Sequence, residues 1–162
     1  MAKKIVECVP NFSEGRDSEI IDQIAKSGDG ITGARVLGVE PDADYNRTVL
    51  TIAGTPDAVF EAAFRVIMKA QELIDMTKHV GEHPRLGAVD VCPFIPLEGV
   101  TMDECVELAQ RLARKVADEL EIPTFLYGYA DVTKERELLS DLIKGEYEGF
   151  RERFANNGLH KI

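Results

Sequence analysis

Two helix starts constrain this chain more than any other feature in it. Thr55-Pro56-Asp57 sets a capping hydroxyl ahead of a proline at the first helical position. Thr101-Met102-Asp103-Glu104 has the reciprocal spacing of a capping box. Each opens a long segment of helical period. Ala58, Val59, Ala62, Ala63, Val66, Ile67, Ala70 and Ile74 trace one apolar face down to about Asp75, and Met102, Cys105, Val106, Ala109, Leu112, Val116 and Leu120 trace another. A shorter helix is expected over residues 18–26, where Ile20, Ile21 and Ile24 share a face. Such stripes must be buried against a second layer. The runs available for it are 5–9, stopped by Pro10-Asn11, then 35–40 and 48–53 on either side of the polar loop 41–47, then 88–95 and 124–127.

The order is βαβ, then βαβ, followed by a helical but polar region from Lys134 that frays at Asn156-Asn157-Gly158. Two consecutive split βαβ units predict an α/β fold of the α+β kind, a ferredoxin-like sandwich with helices on one face of a mixed β-sheet. The 162 residues fit a single domain, 1–162, with room for a core.

Lysine and arginine number 19 against 29 acidic residues, a net charge of -10. That balance argues against a nucleic-acid partner, which needs a basic face, and requires any anionic ligand to be held by locally clustered cations. No apolar stretch approaches the roughly 18 residues of a membrane span, and residues 1–12 lack the apolar core of a signal peptide. A cytoplasmic protein with no membrane partner is expected. Cys8, Cys92 and Cys105 are odd in number and widely spaced, so they read as buried thiols in a reducing compartment.

Several motif matches fail on context. Gly28-Asp29-Gly30-Ile31-Thr32-Gly33 fits GxGxxG, but it follows a helix and precedes a strand, the reverse of a dinucleotide site. Asp42, Asp44 and Asn46 have calcium-loop spacing, but Arg47 replaces the required glycine and Ala53 the final glutamate. A turn built on Asx side chains is the simpler reading. Asn46-Arg47-Thr48 is a glycosylation sequon without meaning in the cytosol.

The densest chemistry lies in the run from Lys78 to Asp90. His79-Val80-Gly81-Glu82-His83 fits the HxxEH zinc pattern, which needs both histidines on one face of a regular helix. Gly81 weakens such a helix and Pro84 disfavours helical geometry at His83, so no metal is expected. Acid–base chemistry is the stronger alternative, because histidine both takes and returns a proton near pH 7. Glu82 would orient the ring, and Arg85 and Lys78 would hold a carboxylate. The bland alternative is a solvated loop. A second constellation, Val9 to Gly15, is a strand end entering a helix, a common ligand position in α/β proteins; capping by Ser13 or Asp17 explains it equally well. Arg47 either reaches a ligand or pairs with Asp42 or Asp44.

The segment Glu7-Cys8-Val9-Pro10-Asn11-Phe12-Ser13-Glu14-Gly15 resembles the opening of the glutamate formimidoyltransferase (formiminotransferase) family. So do Asn46-Arg47-Thr48, Leu73-Ile74-Asp75-Met76, the block from Gly81 to Pro96, and Gly145-Glu146-Tyr147-Glu148. The resemblance spans residues 7 to about 150. It implies transfer of a formimidoyl group between N-formimidoyl-L-glutamate and tetrahydrofolate, the co-substrate, during histidine breakdown. It also implies a ferredoxin-like first subdomain, with the family's second subdomain expected to be absent from this chain. The family's catalytic histidine maps onto His83, which would take the folate N5 proton and deliver it to the leaving glutamate nitrogen. The acidic position before Asn-Arg-Thr maps onto Glu40. With these, Asn11, Glu14, Glu82, Arg47 and Arg85 are expected to line the substrate site. A homodimer is expected, or a separate subunit supplying the second subdomain. The alternative is a non-catalytic folate- or carboxylate-binding or assembly subunit, with a zinc hydrolase further behind.

Overall fold

Alternation along the first strand decides which face becomes core. In the structure, a computed structural model that describes residues 3–131 together with 140, 143 and 145–149, strand β1 (Ile5–Cys8) buries Val6 and Cys8 completely. Pro10 has no N–H for the ladder, so the strand breaks there. Its carbonyl still accepts from Leu50 N–H at 2.9 Å, and the chain resumes as β2 (Asn11–Phe12). Helix α1 (Ser18–Ser27) is capped by Asp17, whose carboxylate accepts from the N–H groups of Glu19 and Ile20. Strands β3 (Ala34–Asp42) and β4 (Arg47–Gly54) form the expected hairpin.

Helix α2 (Pro56–Leu73) begins with Thr55 at the N-cap position and Pro56 in its first turn, but the Thr55 side chain, expected to cap, makes no cap hydrogen bond. The expected strand over 88–95 is present as two pieces, β5 (Val89–Val91) and β6 (Phe94–Glu98), separated by Cys92-Pro93. Helix α3 (Met102–Leu120) carries the full capping box, with Thr101 and Glu104 each bonding the other's backbone N–H.

The sheet is ferredoxin-like. Its order runs from β3 through β4 to the interrupted strand β1/β2, then to β6/β5 at the far edge. Every pairing is antiparallel, a refinement of the mixed sheet expected from the sequence. The physical reason lies in the split units. The two strands joined by α1 run parallel but have β4 between them, and those joined by α2 have β1 between them. Hydrogen-bonded neighbours are therefore all antiparallel.

Residues 124–127, expected as a last strand, form none. The segment lies against α3, where Thr124 Oγ1 donates to the Ala113 carbonyl at 3.3 Å, and ends in a 3-10 turn over Gly128–Ala130. Its apolar character serves packing, with Leu126 buried, and not a ladder. The helical stretch expected from Lys134 and the tail at 156–158 fall largely or wholly outside the described residues.

One cluster fills the space between sheet and helices: Val6, Cys8, Phe12, Leu50, Ile52 and Phe94 from the sheet meet Ile24, Val59, Val66, Leu108, Leu112 and Val116. Cys8 and Cys105 are buried thiols and Cys92 is half-buried, its sulfur 3.5 Å from that of Cys8. Burial, with Cys92 alongside, pushes the Cys8 thiol well above its ordinary pKa. No helix among the described residues is long and apolar enough to cross a membrane.

Helices α1, α2 and α3 all contribute to the core on one face of the sheet, and none of the three covers the other. Strand register places Glu40, Val49, Asn11 and Val91 in one row across it, with Arg47 two positions along β4 on the same side. Polar residues on this face set the candidate site.

Candidate active site

The β3–β4 turn organises the site. Asp42 accepts from Tyr45 N–H at 2.9 Å, the Asx-type turn expected in place of a calcium loop. Asn46 takes a left-handed backbone (φ 50°) and is buried. Its Oδ1 accepts from Gly15 N–H at 2.9 Å and its Nδ2 donates to the Val80 carbonyl at 3.0 Å. One side chain thus ties two loops to the turn.

Both loops reach it only because they offer glycine. A Cβ on Gly15 would collide with the Asp42 carbonyl and sit 2.6 Å from Arg47 N. One on Gly81 would strike the Tyr45 carbonyl and sit 2.8 Å from Asn46 Cβ. Gly81 therefore marks a close approach of two backbones.

That approach delivers His83. Its ring lies edge-on to Tyr45, with centroids 5.6 Å apart at 60°, and its Nε2 contacts Arg47 Nη1. A guanidinium can only donate, so Nε2 accepts and the neutral ring carries its proton on Nδ1. That Nδ1 is buried and has no partner among the described residues.

His79 is in the opposite situation. Its Nε2–H donates to the Asn46 carbonyl at 2.9 Å, and its Nδ1 accepts from Arg85 Nε at 3.1 Å. Both nitrogens are committed to protein, so the pair does not present the two free imidazoles a zinc site needs. No cluster of three or more metal-ligating side chains occurs among the described residues.

Asp90 completes the polar group. Its Oδ1 accepts from the N–H groups of Leu86 and Gly87, while its buried Oδ2 lacks a partner among the described residues. Burial raises the pKa of this carboxyl. The two backbone donors, the charge of Arg47 and that of His83 when its ring is protonated pull the other way but do not win. Asn11, directly opposite Val91 in the ladder, also has a buried Oδ1 with no partner among the described residues.

The expected site residues divide accordingly. His83, Arg47 and Asn11 lie on the open face, and Glu40 shares that face in Asn11's row. Glu40 stands two strands from Asn11, roughly 10 Å by ladder spacing.

Glu82 is exposed; its N–H donates to the Asp44 carbonyl at 3.2 Å, and its carboxylate does not hold the His83 ring. Glu14 spends Oε1 on the N–H groups of Arg16 and Asp17, at the entry to α1. It lines a separate cleft of about 220 Å³ with Lys78 and His79, to which His83 does not contribute.

Arg85 is the largest departure from expectation. Nearly buried, it donates to Glu148 at 2.7 and 2.9 Å, to Glu146 at 2.7 Å and to the His79 carbonyl at 3.2 Å. The Glu148 bond leads in holding its pKa up. Arg85 therefore works as a clamp between segments, with its donors taken. Neither Asp42 nor Asp44 forms an ion pair with Arg47 among the described residues. Sequence reading missed Asp90 and Tyr45. The one available signal was a carboxylate inside the otherwise apolar run 88–95.

The family described as "Formiminotransferase domain, N-terminal subdomain" matches residues 5–161. The chain belongs to this family. Among the formiminotransferase relatives it resembles is the formimidoyltransferase-cyclodeaminase of Dictyostelium discoideum, 48% identical over 93% of this chain and 28% of that protein. The glutamate formimidoyltransferase of Streptococcus pyogenes serotype M1 is 46% identical over 93% of this chain and 50% of its own length. That of Thermoplasma acidophilum is 42% identical over 91% and 50%. The chain thus spans between about a quarter and a half of the curated relatives it matches.

Proposed function

We propose that this chain takes part in formimidoyl transfer between N-formimidoyl-L-glutamate and tetrahydrofolate in histidine degradation, with His83 as the general acid and base. The observation that carries the reading is a half-buried imidazole with one nitrogen against Arg47 and the other without a partner among the described residues, beside the sheet face that α1, α2 and α3 leave uncovered. The names of the relatives support the substrate class.

In the transfer, folate N5 bonds to the formimidoyl carbon and the bond from that carbon to the glutamate nitrogen breaks. The N5 proton passes to His83 and on to the departing nitrogen, a shuttle that an imidazole can perform because one ring nitrogen both takes and returns the proton. Arg47 would bind a substrate carboxylate. Drawn toward that carboxylate, it would leave Nε2 and uncover the lone pair that takes the proton. Asn11 and Glu40 would line the substrate on the same face. Asp90 joins them, whereas Arg85 and Glu14 support the loops. Holding two reactants in register contributes much of the rate in such transfers, so a folate surface continued by a second subdomain or a separate subunit belongs to this reading. A cytoplasmic homodimer is the assembly we propose.

His83→Ala should abolish transfer, assayed with both substrates and with any candidate second-subdomain subunit, while circular dichroism stays that of the parent. Unchanged turnover would overturn the assignment.

A further inference from the structure

His79 commits its whole ring to protein, yet the transfer chemistry read for His83 gives it no part. Its Nε2–H donates to the Asn46 carbonyl at 2.9 Å, and its Nδ1 accepts from Arg85 Nε at 3.1 Å. A carbonyl only accepts and a guanidinium only donates, so the ring is neutral with its proton on Nε2. Arg85 also donates to the His79 carbonyl, through Nη2 at 3.2 Å. The two ends of the 79–85 loop are thus bonded to each other, and His83 lies between them.

The bond to Asn46 is of a different kind. It crosses from the loop to the β3–β4 turn, at the residue before Arg47, whose guanidinium meets His83 Nε2. Two further bonds make the same crossing, from Asn46 Nδ2 to the Val80 carbonyl at 3.0 Å and from Glu82 N–H to the Asp44 carbonyl at 3.2 Å. The His79 bond anchors the start of the loop, and the Glu82 bond holds it next to His83. A misplacement of about 1 Å costs about a hundredfold in rate, so whatever fixes this loop fixes the chemistry.

We propose that His79 is a positioning residue for the transfer, holding His83 against Arg47 through its Nε2–H bond to the Asn46 carbonyl; the proposal rests on the transfer reading above. The His79 proton stays on its nitrogen throughout. The two ring nitrogens are unequal in this role. The tie to Arg85 is duplicated by the bond to the His79 carbonyl, which any side chain at this position retains. The bond to the Asn46 carbonyl comes from the ring itself. Losing the first leaves the loop closed, whereas losing the second frees its start from the turn.

Two substitutions separate the nitrogens. In His79→Gln the amide nitrogen stands near the place of Nε2 and can donate to Asn46, while no acceptor replaces Nδ1. In His79→Asn the shorter side chain puts an amide oxygen near the place of Nδ1, where it can accept from Arg85, while nothing reaches Asn46. Steady-state kinetics use both substrates and any candidate second-subdomain subunit, with rates taken per folded chain from thermal melts. The kcat of His79→Asn should fall by about tenfold to a hundredfold, with both KM values within about twofold of the parent. His79→Gln should recover most of that loss. Equal kcat in the two variants, or a higher kcat in His79→Asn, overturns the positioning role and leaves the transfer reading standing. A folded His79→Gln as slow as the value expected of His79→Asn overturns it by itself, whether or not the latter folds. So does a raised KM at unchanged kcat, which would move His79 to substrate binding in the cleft it shares with Glu14 and Lys78. A parent without turnover overturns the transfer reading and this role with it.

Discussion

His79 and His83 are four residues apart and chemically opposite. One has both nitrogens bonded to protein, and the other keeps one without a partner among the described residues. The sequence marked this segment as chemical, because glycine and proline exclude an ordinary helix there, but spacing alone could not separate the two rings. That distinction depends on Asn46 and Arg85, which come from 33 and 6 residues away. Asp90 shows the same limit. Its role depends on strand register and on two backbone N–H groups, neither visible as a motif.

Asp90 also has a measurable energetic signature. Its pKa is raised in the folded chain, so the folded state holds that proton more tightly than the unfolded one. Its contribution to stability is then favourable at low pH and lost as pH rises from the ordinary aspartate value, about 3.9, through the folded one. Asp90→Asn, which keeps the Leu86 and Gly87 bonds, should melt at or above the parent at pH 7, and the difference should shrink toward pH 4. Thermal melts across that range check it; a variant markedly less stable at pH 7 would show that attraction to Arg47 and His83 dominates.

At the level of elements, caps and patterns were the most legible. Asp17, Thr55-Pro56 and the Thr101–Glu104 box each start a helix where expected. Less legible were breaks whose cause is partnership. Residues 88–95 read as one strand, yet Cys92-Pro93 divides them, and 124–127 has strand composition but packs on a helix. The turn at 42–47 is the element on which the site depends. Gly81→Ala should cost about 1–3 kcal/mol, since neither the Tyr45 carbonyl nor Asn46 has room to give; urea denaturation measures it, with loss of ligand binding alongside.

The Arg85 clamp ties residues 79–85 to Glu146 and Glu148. Arg85 holds the Glu148 carboxylate below its usual pKa, so the clamp contributes above the ordinary glutamate value, about 4.3, and is lost as pH falls through the lower folded one. Glu148→Gln should therefore lower the melting temperature at pH 7, and the difference should shrink as pH falls below the ordinary glutamate value.

Across the whole molecule, charge and topology act together. A net charge of -10 on 162 residues is self-repelling. Raising monovalent salt from 0.05 to about 0.5 M shortens the Debye length to a few ångströms. If the screened repulsion is worth about 1 kcal/mol, the melting temperature should rise by about 2–4 °C. A fall would mean that ion pairs such as Arg85–Glu148 outweigh it. The ferredoxin-like topology was legible because each helix announces itself between two strands. Which sheet face would remain open was not, since that depends on which side the helices cross. Hairpin turns are ordinarily where a fold accepts a tag, an inserted domain or new chain ends. The turn at 42–47 is closed to such engineering. With Gly15 and Gly81 pressed against its backbone and Arg16 bonded to Ala43, an insertion there would separate the two loops from Asn46. The 28–33 connection, where a Cβ on Gly30 meets nothing within 4 Å, is the place for a graft.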